Sequence, residues 1–490
     1  MTTSPLPVVS FPILTRLYNQ LRNVCHTRKT RKLYLCYSPV LDLPTRLSDL
    51  YHGKPPSPSL TPHDLGRQQL IQPVVCTHVQ APIAKYALIP VFIGCSLFGV
   101  YATLGALPKT GAGLILRDLA SGKATVLRGA PEPFRRIYTG VAPVDKTLSI
   151  LVGFFAGLLS DPGAGWDASA FVVWMIGQAG GAWTLLLLEG LRAGNRGRAV
   201  SFVGTLGFLF QNLTFTFVVP LYLALHLLTS PSARLRSGDG DGARRALFVY
   251  LWDLAVLTST VTLTFLAPAL LMTMPDAFGH SAAAHYRWLA VWQLFPVWNV
   301  ILQWVAHKTG YFLLGSMVPR DDAGRETTPG VAFSVAVAGV YEFALTLCVG
   351  SHLPVAVLAL LPGPLRALLV AKLPAILAPV VEQVTLARTF VPYPLSAPPT
   401  VSPAGYQPGE LSSIGVNFLQ YDIYAGSVPF LLWAMYLHQT TVKNPDFFGM
   451  LRKAGFWFAV GGPVAASVAL IWDRDEVVKE GEPALKAKTT

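Results

Sequence analysis

Apolar residues run along this chain in blocks of about 20, the length that crosses the hydrocarbon of a bilayer as an α-helix. The blocks are Tyr86–Leu107, Val141–Leu159, Ala168–Glu189, Val200–Leu228, Ala246–Met272, Trp288–Val305, Val331–Val349, Ile414–Leu437 and Ala454–Ile471. They predict an all-α, polytopic bundle of nine transmembrane helices, or eight if the looser N-terminal block is set aside. Leu353–Val381 is apolar too, but it carries Arg366, Lys372 and five prolines and reads as interfacial or re-entrant. The stretch "VPYPLSAPPTVSPAGYQP" (Val391–Pro408) is incompatible with a helix interior. No repeat of 20–50 residues is visible, and the two halves show no matching broken helices, which counts against an inverted-repeat transporter.

Composition agrees with the pattern. The 490 residues are 52% hydrophobic and 13% charged, against about 25% charged in soluble domains. The net charge is +12, and the first 85 residues hold ten Lys or Arg against three acids. A basic tail beside a membrane points to anionic headgroups rather than nucleic acid. Four segments follow: a basic, mostly disordered tail (1–85) with a short amphipathic helix at Ile13–Asn23, a span and basic loop (86–137), the helical bundle (138–472), and a charged C-terminal tail (473–490). "PVVSFPIL" is too short and proline-broken for a cleavable signal peptide. The Lys and Arg of the loops alternate too evenly to fix orientation. Cys25, Cys36, Cys76, Cys95 and Cys348 form no CxxC and no disulfide framework.

A charged side chain in hydrocarbon costs roughly 2.5–3.5 kcal/mol on insertion scales, so interior acids are candidates for function. Five stand out: Asp145, Glu189, Asp253, Glu342 and Asp422, each on a different predicted span. At 100° per residue, positions 4, 7 and 11 apart share a face. This groups Trp174, Gln178 and Glu189; Gln211, Tyr222 and His226; Asp253, Thr260 and Thr264; Trp292, Asn299 and Gln303; and Asp422 with Gly426 and Trp433. Small and polar faces also serve helix packing in membranes. Asp145, beside Lys146, and Asp422 also read as residues at the start of their helices. The end of the third span, "LLLLEGLRAGNRG" (Leu185–Gly197), poses the sharpest choice. Glu189 stands at the unfavourable end of the helix dipole, and Arg192 three residues on can pair with it. The stretch is either a paired helix end or the rim of a cavity.

The ten histidines are scattered, with only His226 well inside a predicted span. No GxSxG, HExxH or P-loop occurs. "DDAGRE" (Asp321–Glu326) comes nearest to an Asp-rich diphosphate site but reads as a solvated loop. No metal and no cofactor is expected. What remains is acid chemistry: a carboxylic acid in an apolar site holds its proton near neutral pH, and aromatic faces stabilise cations. The chain has 11 Trp, 17 Tyr and 26 Phe, dense in "RWLAVWQLFPVWNVILQW" (Arg287–Trp304). Interfacial aromatic belts are the alternative reading of those rings.

"APVDKTLSILVGFF" (Ala142–Phe155), "EGLRAGNR" (Glu189–Arg196) and "FQNLTFTFVVPLYLALHLLTSP" (Phe210–Pro231) resemble stretches of the fungal membrane-bound terpene cyclases of meroterpenoid pathways, the ascofuranone and ascochlorin type. The resemblance runs from about Tyr138 to Trp472 and does not reach the tail. It implies a metal-free, multi-span cyclase in the endoplasmic reticulum, acting on a farnesyl-phenol or similar lipophilic epoxide. The matching positions are Asp145, Glu189, Arg192, Asn195, Gln211, Asn212, Pro220, Tyr222 and His226. On the physical reading, Glu189, Asp253 or Glu342 protonates the epoxide, and Asp145 or Asp422 takes the last proton. Arg192, Asn195, Gln211, Asn212, Tyr222, His226 and Asn299 orient the polar end, and Trp298 with its neighbours shields the cation. The competing reading is a transporter that exports a small metabolite, with the acids as proton-relay groups.

Overall fold

The computed structural model describes residues 77–479, apart from 128–129, 131, 275–277, 316–317, 319, 321–323, 325, 327–329, 404 and 406. The predicted helix Ile13–Asn23, most of the basic tail and residues 480–490 lie outside the described residues, as do Cys25, Cys36, Cys76 and most of "DDAGRE". Among the described residues there is no strand, only an isolated bridge between Arg320 and Glu326.

The helices used below are α1 (Thr77–Ala102), α2 (Ala112–Ser121), α3 (Ala142–Leu159), α4 (Trp166–Leu191), α5 (Val203–Leu213), α6 (Phe215–Thr229) and α7 (Gly240–Leu247). They continue with α8 (Leu251–Thr273), α9 (Ala282–Gln293), α10 (Phe295–Leu314), α11 (Gly330–Ala359), α12 (Gly363–Lys372), α13 (Ala378–Gln383), α14 (Leu386–Phe390), α15 (Glu410–Thr441) and α16 (Phe447–Asp475). Six helices among the described residues are long and apolar enough to cross a membrane, or seven if the bent pair α9 and α10 counts as one span.

α4 is the centre. Eighteen of its 26 residues are buried, because it is apolar all round and carries glycines where neighbours press closest. A Cβ on Gly181 would sit 2.4 Å from Cys348 Sγ of α11, and one on Gly180 would sit 3.1 Å from Phe265 of α8. Small residues allow this approach of helices where no hydrophobic force separates protein from lipid. α16 breaks at Gly462 (φ 81°, ψ −177°), just before Pro463. Gln178 of α4 fills the break: its amide donates to the Gly461 carbonyl at 2.9 Å and its oxygen accepts from Val464 N–H at 3.3 Å. The backbone groups freed by the break are thereby satisfied inside the bundle.

Several predicted spans differ in form. Val200–Leu228 is not one helix. It splits into α5 and α6 at Thr214, whose φ of 80° and ψ of 148° no helix contains. Trp288–Val305 becomes α9 and α10, bent by 63° at Leu294. The seventh span does not stop at Val349 but runs on through Pro354 to Ala359, and the remainder of Leu353–Val381 forms short α12 and α13. The fifth span starts at Leu251, because α7 is a separate short helix. The last helix continues past Trp472, so Arg474 and Asp475 belong to the buried bundle rather than to the charged tail.

Candidate active site

Three helix interruptions meet at one place. Phe215 opens α6 just after the break at Thr214. Phe265 lies in a π-helical turn (Thr262–Leu266) inside α8. Phe295 opens α10 after the bend. A helix that breaks or bulges leaves space beside it, and such bulges gather at functional sites. With Phe155 of α3, Trp183 of α4, Phe210 of α5 and Trp292 of α9, these rings line a cavity of about 70 Å³. The rings pack edge to face: Trp183 on Phe295 at 5.1 Å, Phe265 on Phe295 at 4.8 Å, and Phe155 on Trp292 at 5.2 Å.

Apart from indole N–H groups, only Gln211 and Asp422 bring polar side-chain atoms to this lining. Asp422, in the middle of α15, faces the start of α6. Its Oδ1 accepts from Thr216 N–H at 2.8 Å and its Oδ2 from Phe215 N–H at 3.4 Å. The carboxyl therefore sits at the positive end of a helix inside the bundle. Gln211 turns toward Gln293, its amide 3.4 Å from the Gln293 side-chain oxygen.

Glu189 folds onto Arg192 and is fully buried. Its Oε1 accepts from Arg192 Nε at 2.8 Å and from an Arg474 amino group at 2.5 Å. Arg192 also donates to Asp475 Oδ2 at 2.7 Å, and Arg474 to Asp475 Oδ1 at 2.8 Å. The hydroxyl of Tyr341 donates to Asp475 as well. Two guanidinium groups thus face two carboxylates, and the buried charge cancels. Burial alone would make Arg192 a weaker base, but Asp475 and Glu189 reverse this and raise its pKa above the ordinary arginine value. Asn195 ties its amide to the Glu189 carbonyl at 2.7 Å, and Ser230 donates to Asn195 Oδ1 at 2.6 Å. His226 accepts on Nδ1 from the Trp433 indole at 3.0 Å, so Nε2 carries its proton toward Ser232 and Glu189. Tyr222 donates to the Val200 carbonyl at 2.9 Å. Glu189, Arg192, Asn195 and His226 are thus brought together, but as a clamp joining the ends of α4, α6 and α16. Arg474, Asp475 and Tyr341 complete it, and sequence reasoning missed all three.

The other candidates lie elsewhere. Asp145 spends both oxygens on its own chain, accepting from the N–H groups of Tyr138, Thr139 and Gly140 at 3.1, 2.7 and 2.9 Å. Asp253 pairs with His307, 2.9 Å away. Glu342 lies on the exposed face of α11. Asn212 donates back to Phe208 of its own helix at 2.7 Å. Trp298 is 40% exposed and bonds the Val291 carbonyl, while buried Asn299 donates to Thr264 at 3.1 Å. None of these residues lines the cavity. Glu189, Asp253 and Glu342 therefore do not converge on it, whereas Asp422, Gln211 and Trp292 do. His307, His352 and His438 lie within helices, because α10, α11 and α15 outrun the predicted spans.

The CtvD domain family matches residues 85–479. The terpene cyclase ascI of Acremonium egyptiacum is 25% identical over 377 residues, which cover 75% of this chain and 86% of the relative. The terpene cyclase ctvD of Aspergillus terreus is 23% identical over 355 residues, 71% of this chain and 88% of the relative. The terpene cyclase atmA of Aspergillus flavus is 22% identical over 353 residues, 69% and 83% respectively. These names favour an enzyme over an exporter. No solved structure matches the chain at a comparable level of significance.

Proposed function

The chain belongs to the CtvD domain family and is an enzyme of the terpene cyclase type, and from that premise we propose that its aromatic cavity is where an isoprenoid chain is folded and closed into rings. The observation that carries this reading is the pairing of seven aromatic side chains with a single carboxyl group, Asp422, in one cavity. Aromatic faces stabilise a passing carbocation without trapping it. A carboxylic acid among them can start the reaction without a metal.

The substrate we assign is a meroterpenoid of the farnesyl-phenol class with a terminal epoxide. In the proposed step Asp422, in its acid form, gives its proton to the epoxide oxygen. The carbon–oxygen bond breaks, its electron pair stays on oxygen, and the positive charge on carbon is attacked by the neighbouring double bonds. The N–H groups of Phe215 and Thr216 receive the charge left on the Asp422 carboxylate. The final cation gives a proton back to the Asp422 carboxylate, which restores the acid form, so substrate and product have the same composition. Gln211 is placed to orient the oxygen, and the clamp around Glu189 holds the helix ends that shape the cavity. We further assign membrane crossings to α15 and to the broken pairs α5/α6 and α9/α10, in the endoplasmic reticulum. With the six long apolar helices this makes nine crossings.

Yeast microsomes carrying the full chain, supplied with a farnesyl-phenol epoxide, are expected to yield an isomer of equal mass. Folded protein that returns the epoxide unchanged contradicts the reading.

A further inference from the structure

α8 and α10 carry a second chemical group well away from the cavity. Asp253 stands in the first turn of α8 and His307 in the second half of α10. Each lies 12 residues from a cavity residue on its own helix, Phe265 and Phe295 respectively, or about 18 Å at 1.5 Å per residue. His307 Nδ1 is 3.0 and 2.9 Å from the two Asp253 oxygens. A ring nitrogen facing a carboxylate carries the proton, which leaves the lone pair on Nε2. Among the described residues no hydrogen bond engages that nitrogen. The His307 side chain is 31% exposed, while that of Asp253 is 4% exposed.

The surroundings are equally specific. Gln303 donates to the Asp253 carbonyl at 3.2 Å and is itself fixed by Thr260 at 3.0 Å. Tyr250 and Tyr311 set their rings 5.2 and 6.1 Å from the imidazole, and both hydroxyls donate to Glu326. The Arg196 guanidinium lies 4.6 Å from the centre of the Tyr250 ring. Burial, then the bond to Glu326, raises the pKa of the Tyr250 phenol. A buried acid that orients an outward-opening imidazole is the geometry of a general base. The exposed Tyr311 ring beside it suits a flat partner, and a guanidinium suits an oxygen that gains charge.

We propose that Asp253 and His307 form a second acid–base site, one that takes the proton of a weakly acidic hydroxyl on a flat, ring-bearing ligand. The O–H bond breaks, its electron pair stays on oxygen, and the proton passes to His307 Nε2. Asp253 then holds the imidazolium, and Arg196 faces the oxyanion. This site stands whether or not the cavity closes an epoxide.

The probe is 4-nitrophenol, which colours on ionisation, added at mildly acidic pH to the full chain in nanodiscs. After subtraction of empty nanodiscs, a saturable phenolate band is expected. It should be lost in His307→Gln and in Asp253→Asn but kept in Asp422→Asn, whose change lies in the cavity. His307 is partly exposed, so its variant keeps the fold even if Asp253→Asn does not, and melting curves check this. A wild-type protein without the band, or a band that persists in His307→Gln, overturns the proposal.

Discussion

Replacing Glu189 by Gln is expected to destabilise the protein by about 3–5 kcal/mol, the usual result of removing one partner from a buried ion pair. The reason is charge balance rather than chemistry. Glu189, Arg192, Arg474 and Asp475 are at most 2% exposed and sum to zero charge. The amide leaves two guanidinium groups facing one carboxylate, all of them buried. The loss falls where α4 meets the end of α16, so the bundle loosens at that end first. Thermal melting in detergent measures it. A Glu189→Gln protein that melts like the wild type but fails to turn over substrate would return Glu189 to the role of catalytic acid.

Replacing Asp422 by Asn has the opposite signature. The amide oxygen can still accept from Thr216 N–H, so the fold at the α6 start survives. Turnover is expected to fall by about 10²–10⁴, the share that general acid catalysis supplies, with KM little changed. Single-turnover kinetics on the epoxide, beside a melting curve, separate this from unfolding. Wild-type turnover in Asp422→Asn removes the proposed proton donor.

Periodicity and composition made the helical, membrane-embedded class legible, because apolar blocks of span length recur along a chain mainly when lipid surrounds it. The Glu189 stretch was legible as a choice: i,i+3 spacing allowed the pair with Arg192, and the structure makes that pair. Its other half was hidden, since Arg474 and Asp475 lie 285 and 286 positions further on in a charged stretch that looks solvated from sequence. The aromatic cavity was half visible. Trp292 and Phe295 belong to the densest aromatic run, and Pro296, in the first turn of α10, marks a helix start at the bend. The break at Thr214 had no such mark. A β-branched residue at positive φ is rare, and nothing in "QNLTFTF" announces it. The break depends on Asp422, more than 200 positions away, accepting the freed N–H groups. Glu342 shows the limit of counting faces: a mid-span acid on a tidy stripe lies on the exposed side of its helix.

If the cavity holds the substrate, filling it must stop the reaction. Ala179 of α4 lines that space. Ala179→Phe is expected to fill the cavity with a ring, cost about 1–3 kcal/mol of stability while leaving the protein folded, and abolish the isomer of equal mass. A stable Ala179→Phe protein that still makes the isomer at the wild-type rate would contradict a substrate site there.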